Sequence, residues 1–496
     1  MPGNPDEPGR PGLARRLLGL LPSPRDEAVV EIGRGVRDLV RGTEPLSSLN
    51  ARRAAAAEEH RRLERGRTLL AKGDPAGALD EVEAIEQVRP DSQPAAALRQ
   101  AASRSGPIRG RSATRAAAAT EVLAAIDHLR RLGHDRPVVV VYHQPSPDSP
   151  FQTLLYRRAW EHGVASIPLW NLADLDAIVD VLPAGSRLVL HLHWVNRVLH
   201  GASGPDDVAA RLASFGGIVD RAIAAGVRVV WTVHNVLPHD TPFEAADIEL
   251  RRMIVDRATM IHVLAASTPE LAAEHYRIPP EKIVHVPLPS FVGAYPDIID
   301  RAAARFALGL PADAYVLLLV GGLRPHKGFD TLLDAFDIAA RQESRLHLLV
   351  AGPPSPADAI ETFLGRAAGD PRISLHARWI PADDMQLFFR AANVAILPYL
   401  RTLNSAALMT ALAFDLAVIA PPVGGIAETI EPAVSVTFEP GDVESLASAI
   451  LAARDFSPDA VRVAARRISE AHDAVALSDT FMTALLAATD SVVPSG

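Results

Sequence analysis

Cysteine is absent from this sequence of 496 residues, so disulfides, thiolate metal sites and cysteine nucleophiles are excluded. A chain without thiols fits a reducing cytoplasm, and the expected location is cytoplasmic. Lysine is almost absent too, with three residues against 50 lysines and arginines together. The wealth of arginine and alanine matches the coding bias of a GC-rich genome, so each lysine must be judged by its setting. Positive charge is not in excess: a net charge of −9 and a pI near 6.0 argue against a general nucleic-acid surface. No apolar run approaches the ~18–20 residues needed to cross a bilayer. The opening MPGNPDEPGRPGLARRLLGLLPSP is too broken by proline for a signal peptide and is read as a disordered tail. Its stretch Leu13 to Leu21 allows peripheral membrane contact at most.

What is present is a globular composition, 48% hydrophobic and 22% charged. At this length, two or three domains are expected, because one core rarely grows past ~250–300 residues. Residues 1–110 carry no strand-like run and read as a tail followed by helices. Within them, RRLERGRTLLAKGDPAGALDEVEAIEQVRP resembles a single tetratricopeptide repeat, with Gly66, Gly73, Ala78, Val82 and Pro90 at the spacing of that motif. A lone repeat cannot bury its own face, so a helical hairpin packed on a neighbour is the other reading. From about residue 113, apolar strands alternate with amphipathic helices, which indicates parallel α/β layers. Strands are expected at Val138–Tyr142, Ala165–Leu169, Leu188–His193, Val227–His234, Met260–Leu264 and Ile283–Val286. A second series is expected at Val316–Gly321, His347–Ala351, Ile373–His376, Val394–Pro398, Val418–Ala420 and Val434–Phe438. The prolines and glycine of Pro287–Tyr295 mark a boundary. The organisation is therefore 111–292, 293–460 and C-terminal helices over 461–496, with a cleft between the carboxyl ends of two Rossmann-like sheets.

One lysine has a telling setting. AYVLLLVGGLRPHKGFDTLLDAF runs from a buried strand through a glycine turn into a helix, which aims backbone N–H groups and the positive helix end at one crevice. Arg324 and Lys327 on that turn can clamp a diphosphate; the plain alternative is a corner whose cations face water.

GGLRPHKGFDTLLDAF, RWIPADDMQLFFRAANVAILPY and NSAALMTALAFDLAVIAPPVGGIAE, in that order, resemble the nucleotide-sugar domain of glycosyltransferase family 4. HLHW (His191 to Trp194), WTVHNVLPHD (Trp231 to Asp240) and SPFQTLLYRRAWEHG are similar to acceptor-side segments of the same family. The resemblance implies the GT-B fold: two Rossmann-like domains facing a cleft, here preceded by an α-helical region. It implies transfer of a sugar from a GDP- or UDP-sugar to a glycan, lipid-linked or other acceptor, with no metal or other cofactor and with retention of anomeric configuration. Arg324 and Lys327 would stabilise the departing diphosphate. Gly322, Asn404, Ser405, Thr410, Gly424, Gly425 and Glu428 would surround the donor. His193, His234 and Asn235 would face the acceptor side, with His234 able to hydrogen-bond a sugar hydroxyl or to move a proton near neutral pH.

The pattern departs from the family at one point. Relatives carry paired glutamates separated by seven residues, the second on the ribose and the first near the donor sugar; here Thr402 and Thr410 take those places. Losing a charge-assisted bond to ribose costs ~1.5–3 kcal/mol. Hence the second expectation, a catalytically weakened scaffold or regulatory subunit whose partner protein binds residues 1–110. An epimerase shares the architecture, but its paired glutamate and histidine are not found. Asp174/Asp176 and Asp383/Asp384 read as helix starts rather than metal loops.

Overall fold

The computed structural model describes residues 112–146, 149–238, 241–355 and 357–490, together with Arg62, Arg65, Glu81, Val82 and Ile85. The first compact unit spans Met1–Ala117. Within it Arg62, Arg65, Glu81, Val82 and Ile85 are helical, and residues 112–117 begin the next helix. The Glu81 carboxylate accepts from Arg62 at 3.1 Å and Arg65 at 2.9 Å, and Val82 and Ile85 are buried. The rest of the repeat-like segment lies outside the described residues, as does Leu13 to Leu21.

The second unit, Ala118–Gly496, holds two six-stranded parallel sheets. The first comprises β1 (Val138–His143), β2 (Val164–Leu169), β3 (Arg187–Leu192), β4 (Arg228–Val233), β5 (Met260–Val263) and β6 (Ile283–His285). The second comprises β7 (Tyr315–Val320), β8 (Leu346–Ala351), β9 (Ile373–His376), β10 (Val394–Ile396), β11 (Ala417–Ala420) and β12 (Ser435–Thr437). Each expected strand falls on an observed one. The signal was strong because strands buried on both faces are written as nearly continuous Val, Ile and Leu, as in the all-buried VVVV of β1.

Strand order is β2-β1-β3-β4-β5-β6 in one sheet and β12-β11-β10-β7-β8-β9 in the other. In each, the order reverses once, between β1 and β3 and between β7 and β10. There the loops leaving neighbouring strands diverge and open a crevice at the carboxyl edge. Residues 143–146, 149 and 194–198 line the first crevice; 321–328 and 397–405 line the second.

Helices cover both faces. Helix Ser112–Arg131 sets Val122, Ile126 and Leu129 into the first domain's core, and Phe329–Ala340 buries Leu332, Leu333 and Phe336 in the second. The helical tail is split at His472 into Pro458–Ala471 and Ala474–Asp490. The first piece packs on the second domain, whereas the last returns to the first. There Ser478 hydroxyl donates to Leu155 O (2.8 Å), Arg158 and His162 reach Asp479, and Phe481 is fully buried. Where the tail passes the linker after β6, Ser290 N–H donates to His472 O (2.7 Å) and His472 Nδ1 contacts Leu288 O (2.8 Å).

Candidate active site

The second crevice is assembled by close backbone approach. Gly328 sits at φ +68°, and a Cβ there would lie 2.3 Å from Pro398 O, so only glycine lets the loop after β7 touch the loop after β10. Leu400 N–H then donates to His326 O at 3.3 Å. On this turn Arg324 is exposed and Lys327 half-buried, its Nζ 5.5 Å from the centroid of the Tyr399 ring. Gly322 lies between them and the strand. Among the described residues neither cation pairs with a carboxylate, although most arginines placed near an Asp or Glu do. Two such cations three residues apart, at a switch point, leave a positively charged turn open to an anion.

Desolvation, and secondarily the Arg324 charge, push the Lys327 ammonium down to about 8. The sign follows directly: the charged fraction falls as pH rises through about 8, and a bound diphosphate, favouring the ammonium, draws a proton back. Affinity for UDP or GDP is therefore expected to weaken above pH 8, at most ~tenfold per pH unit, with proton uptake on binding. Calorimetry in buffers of different ionisation enthalpy checks this; binding that is proton-neutral at pH 9 would refute it.

The second group of expected donor residues lies around the helix Ala406–Ala413. Ser405 is its N-cap, accepting from Leu408 N–H at 3.1 Å. The Thr402 hydroxyl donates to Asn404 O (2.8 Å) and the Thr410 hydroxyl to Ala406 O (2.9 Å). Thr410 is buried, with Tyr295 beside it, so both threonines that replace the glutamates spend their hydroxyls inside the domain. Gly424, at φ +50°, has no room for a Cβ, which would lie 2.7 Å from Thr402 O. Gly425 brings the same turn against Asn404 and against Ala265 of the first domain. Asn404, Ser405, Gly425 and Glu428 line a pocket of about 150 Å³ between the domains, with His285 and His472 opposite.

Glu428 itself is turned to the other domain. Its carboxylate accepts from Ala266 N–H (2.8 Å), Ser267 N–H (2.9 Å) and Ser267 hydroxyl (2.7 Å), at the start of helix Thr268–Ala272. Desolvation raises its carboxyl, but these donors outweigh it and the net shift is downward. The resemblance places this residue around the donor; here its carboxylate caps a helix across the domain boundary. Glu428→Ala is expected to speed amide exchange at Ala266 and Ser267 by roughly tenfold, since a lost hydrogen bond to a charged acceptor is worth ~1.5 kcal/mol or more. Unchanged exchange at both amides would show the contact to be energetically idle.

On the first domain, His193 follows β3 and His234 follows β4, both at the carboxyl edge. His234 Nε2 lies 3.0 Å from His193 Nδ1, its ring stacks on Trp194 at 4.1 Å, and Phe151 meets it edge-on at 5.2 Å. His193, Trp194 and His234 line a small pocket with Asn196, Asn235 and Pro238. Burial, with His262 a lesser cause, pushes the His234 imidazole down to about 3, so it is neutral at physiological pH. A ring held this low is a weak base near pH 7 and is suited to hydrogen bonding. Tyr156, His191, Thr232 and His262, not singled out beforehand as site residues, are buried beside it. For His191 and Thr232 the signal was polar residues at i, i+2 in otherwise apolar strands, LVLHLH and VVWTVH.

Asp176 pairs with Arg221 at 2.9 Å, and Asp383 and Asp384 open the turn before Met385–Ala391. Among the described residues no group of three His, Asp or Glu can hold a metal, and no helix is long and apolar enough to cross a membrane. His239 lies outside the described residues.

Comparison with known proteins places this geometry. Residues 314–455 match the family described as "Glycosyl transferases group 1". D-inositol 3-phosphate glycosyltransferase 2 of Catenulispora acidiphila is 36% identical over 183 residues, 34% of this chain and 43% of that protein. D-inositol 3-phosphate glycosyltransferase of Geodermatophilus obscurus is 28% identical over 270 residues, 51% of this chain and 58% of that protein. The chain thus spans about half the length of these relatives. Anabaena HepE, solved with UDP and glucose, superposes with a TM-score of 0.52 at 13% identity, covering 70% of this chain and 99% of that one. Sucrose-phosphate synthase from Thermosynechococcus elongatus gives 0.55 at 17% identity, covering 71% and 100%. Residues 314–455 carry a glycosyl transferases group 1 domain, set in a two-sheet body with the GT-B fold.

Proposed function

We propose that this protein transfers a sugar from a UDP- or GDP-sugar to a hydroxyl of a glycan, lipid-linked or phosphorylated polyol acceptor, with retention and without a metal. The observation that carries the reading is the unpaired Arg324 and Lys327 at the β7/β10 switch point. They neutralise the charge that builds on the β-phosphate as the glycosidic oxygen leaves. The leaving phosphate accepts the proton of the incoming hydroxyl, so a side-chain base is not required. Neutral His234 orients a hydroxyl from the opposite domain. A phosphorylated polyol enters as an acceptor class because the relatives at 36% and 28% identity are named for inositol phosphate. Residues 135–460 resemble glycosyltransferase family 4, and a cytoplasmic location, with no contact closer than peripheral to a membrane, fits a soluble donor.

A second reading has its own observation. Thr402 and Thr410 bond internally, so neither replaces a donor-binding carboxylate, as befits a scaffold that engages a partner through residues 1–110. Calorimetry with UDP and GDP, followed by nucleotide-release assays with inositol phosphates and glycans as acceptors, separates the two. Micromolar binding with acceptor-dependent release is expected; no binding at millimolar nucleotide would favour the scaffold.

A further inference from the structure

The interior of the first domain contains a row of polar groups that the site above does not explain. His191 and His193 share one face of the β3 line, Thr232 and His234 the same face of the β4 line, and Tyr156 and His262 reach in from either side. Their hydrogen bonds form one unbroken series. His234 Nε2 is 3.0 Å from His193 Nδ1, and His193 Nε2 is 3.2 Å from the Tyr156 hydroxyl. That hydroxyl is 2.7 Å from His191 Nδ1, and His191 Nε2 is 2.7 Å from Thr232 Oγ1. Thr232 Oγ1 is 3.0 Å from His262 Nδ1, and His262 Nε2 is 2.8 Å from the carbonyl oxygen of Val286.

A row of this kind, with one proton per hydroxyl and one per neutral imidazole, can run in either of two directions. The carbonyl at its inner end can only accept, and it selects one. His262 must carry its proton on Nε2 to meet Val286 O, so its Nδ1 accepts from Thr232. The Thr232 oxygen then accepts from His191 Nε2–H, and His191 Nδ1 accepts from the Tyr156 hydroxyl. Tyr156 oxygen accepts from His193 Nε2–H, and His193 Nδ1 accepts from His234 Nε2–H. Neutrality of the four rings is required, and burial supplies it. Desolvation holds His191 and His193 well below the usual histidine range, His262 at about 4 and His234 at about 3. Phe481 of the last helix covers the row, stacked on His191 at 5.4 Å and 5.0 Å from His262.

We infer that the Val286 carbonyl, acting through His262, Thr232, His191, Tyr156 and His193, fixes His234 in the Nε2–H tautomer and so presents a bare Nδ1 lone pair to a substrate hydroxyl. Among the described residues no group hydrogen-bonds His234 Nδ1, and the ring lines the pocket at the carboxyl edge. Thr232, Tyr156, His191 and His262 are positioning residues: they act through His234, not on substrate. The site thereby accepts a hydrogen bond and cannot donate one, which selects a free hydroxyl over an ether or a carbonyl oxygen at that place. Only the role given to the lone pair rests on the glycosyl-transfer reading; the tautomer does not.

The test is the tautomeric state, read in the full chain labelled with 15N-histidine, the His234 signals being assigned by their loss in His234→Gln. Expected are a pyridine-type Nδ1 and a pyrrole-type Nε2 for His191, His193, His234 and His262. Thr232→Val keeps the shape, cuts the row from its carbonyl anchor and is expected to give His234 mixed tautomers. Thr232→Ser is expected to restore one. A pyrrole-type Nδ1 on His234 in the parent protein overturns the inference without any variant, as does an unmixed His234 signal in folded Thr232→Val. With UDP-glucose and GDP-mannose as donors, Thr232→Val is expected to lose roughly tenfold in kcat, with UDP and GDP affinity unchanged. Mixed tautomers with undiminished kcat would overturn the role of the lone pair. Absence of transfer by the parent, with the tautomers as stated, would count against glycosyl transfer and leave the row standing.

Discussion

Replacing Arg324 and Lys327 together by alanine is expected to lower UDP or GDP affinity by roughly two to four orders of magnitude and to abolish measurable transfer. Each charge-assisted contact to a phosphate contributes ~1.5–3 kcal/mol, and two such contacts to one diphosphate multiply the effect. Neither side chain is tied to a carboxylate among the described residues, so the fold should not suffer. Single substitutions are expected to be unequal. Lys327 is half-buried against Tyr399 and cannot be replaced by solvent, whereas exposed Arg324 is partly screened. Calorimetry on Arg324→Ala, Lys327→Ala and the double variant settles the order. A double variant that binds and turns over like the parent would remove the clamp from the mechanism.

Asp247→Ala is expected to cost the folded unit ~3–5 kcal/mol, because it breaks a buried ion pair. The carboxylate accepts from Arg251 at 3.0 Å and from the Thr241 hydroxyl at 2.6 Å, with both charged side chains 2% exposed. Arg251 also donates to Asp247 O and lies against the Tyr276 hydroxyl, but among the described residues its Nε has no partner. Removing the carboxylate leaves a buried guanidinium compensated only by neutral dipoles. Restoring neutrality with Asp247→Leu and Arg251→Met together should recover most of the loss, because the penalty belongs to the orphaned charge rather than the missing pair. Denaturant unfolding of the two variants measures it; a loss below ~1 kcal/mol for Asp247→Ala would mean that water reaches Arg251. Since Arg251 lines the pocket beside His234, weaker acceptor handling should accompany the lost stability.

The sheets were legible because their strands lie between two helical layers and are therefore apolar on both faces; VVVVYH and YVLLLV leave little choice. The turn after β7 was legible because glycine, arginine and lysine follow such a strand without interruption. Glu428 was not. Its partners are the amides of Ala266 and Ser267, more than 160 positions away in sequence, and only the closed arrangement of two domains brings them together. Nor could the threonines be read: whether Thr410 faces a ribose or its own helix depends on one χ1 angle, and Ala406 O takes the hydroxyl. The buried row beside His234 was half visible. HLH and TVH each show polar residues at a spacing of two, but the order in which they bond depends on how β3, β4 and β5 lie side by side.

The polypeptide passes between its two domains twice, once after β6 and once at His472, and the passages are joined by Ser290 N–H to His472 O. Two backbone crossings fastened to each other form a double tie between the lobes, so a break in one leaves the other in place. The Glu428 carboxylate on Ala266 and Ser267 adds a third tie, made by side chain rather than by chain connection.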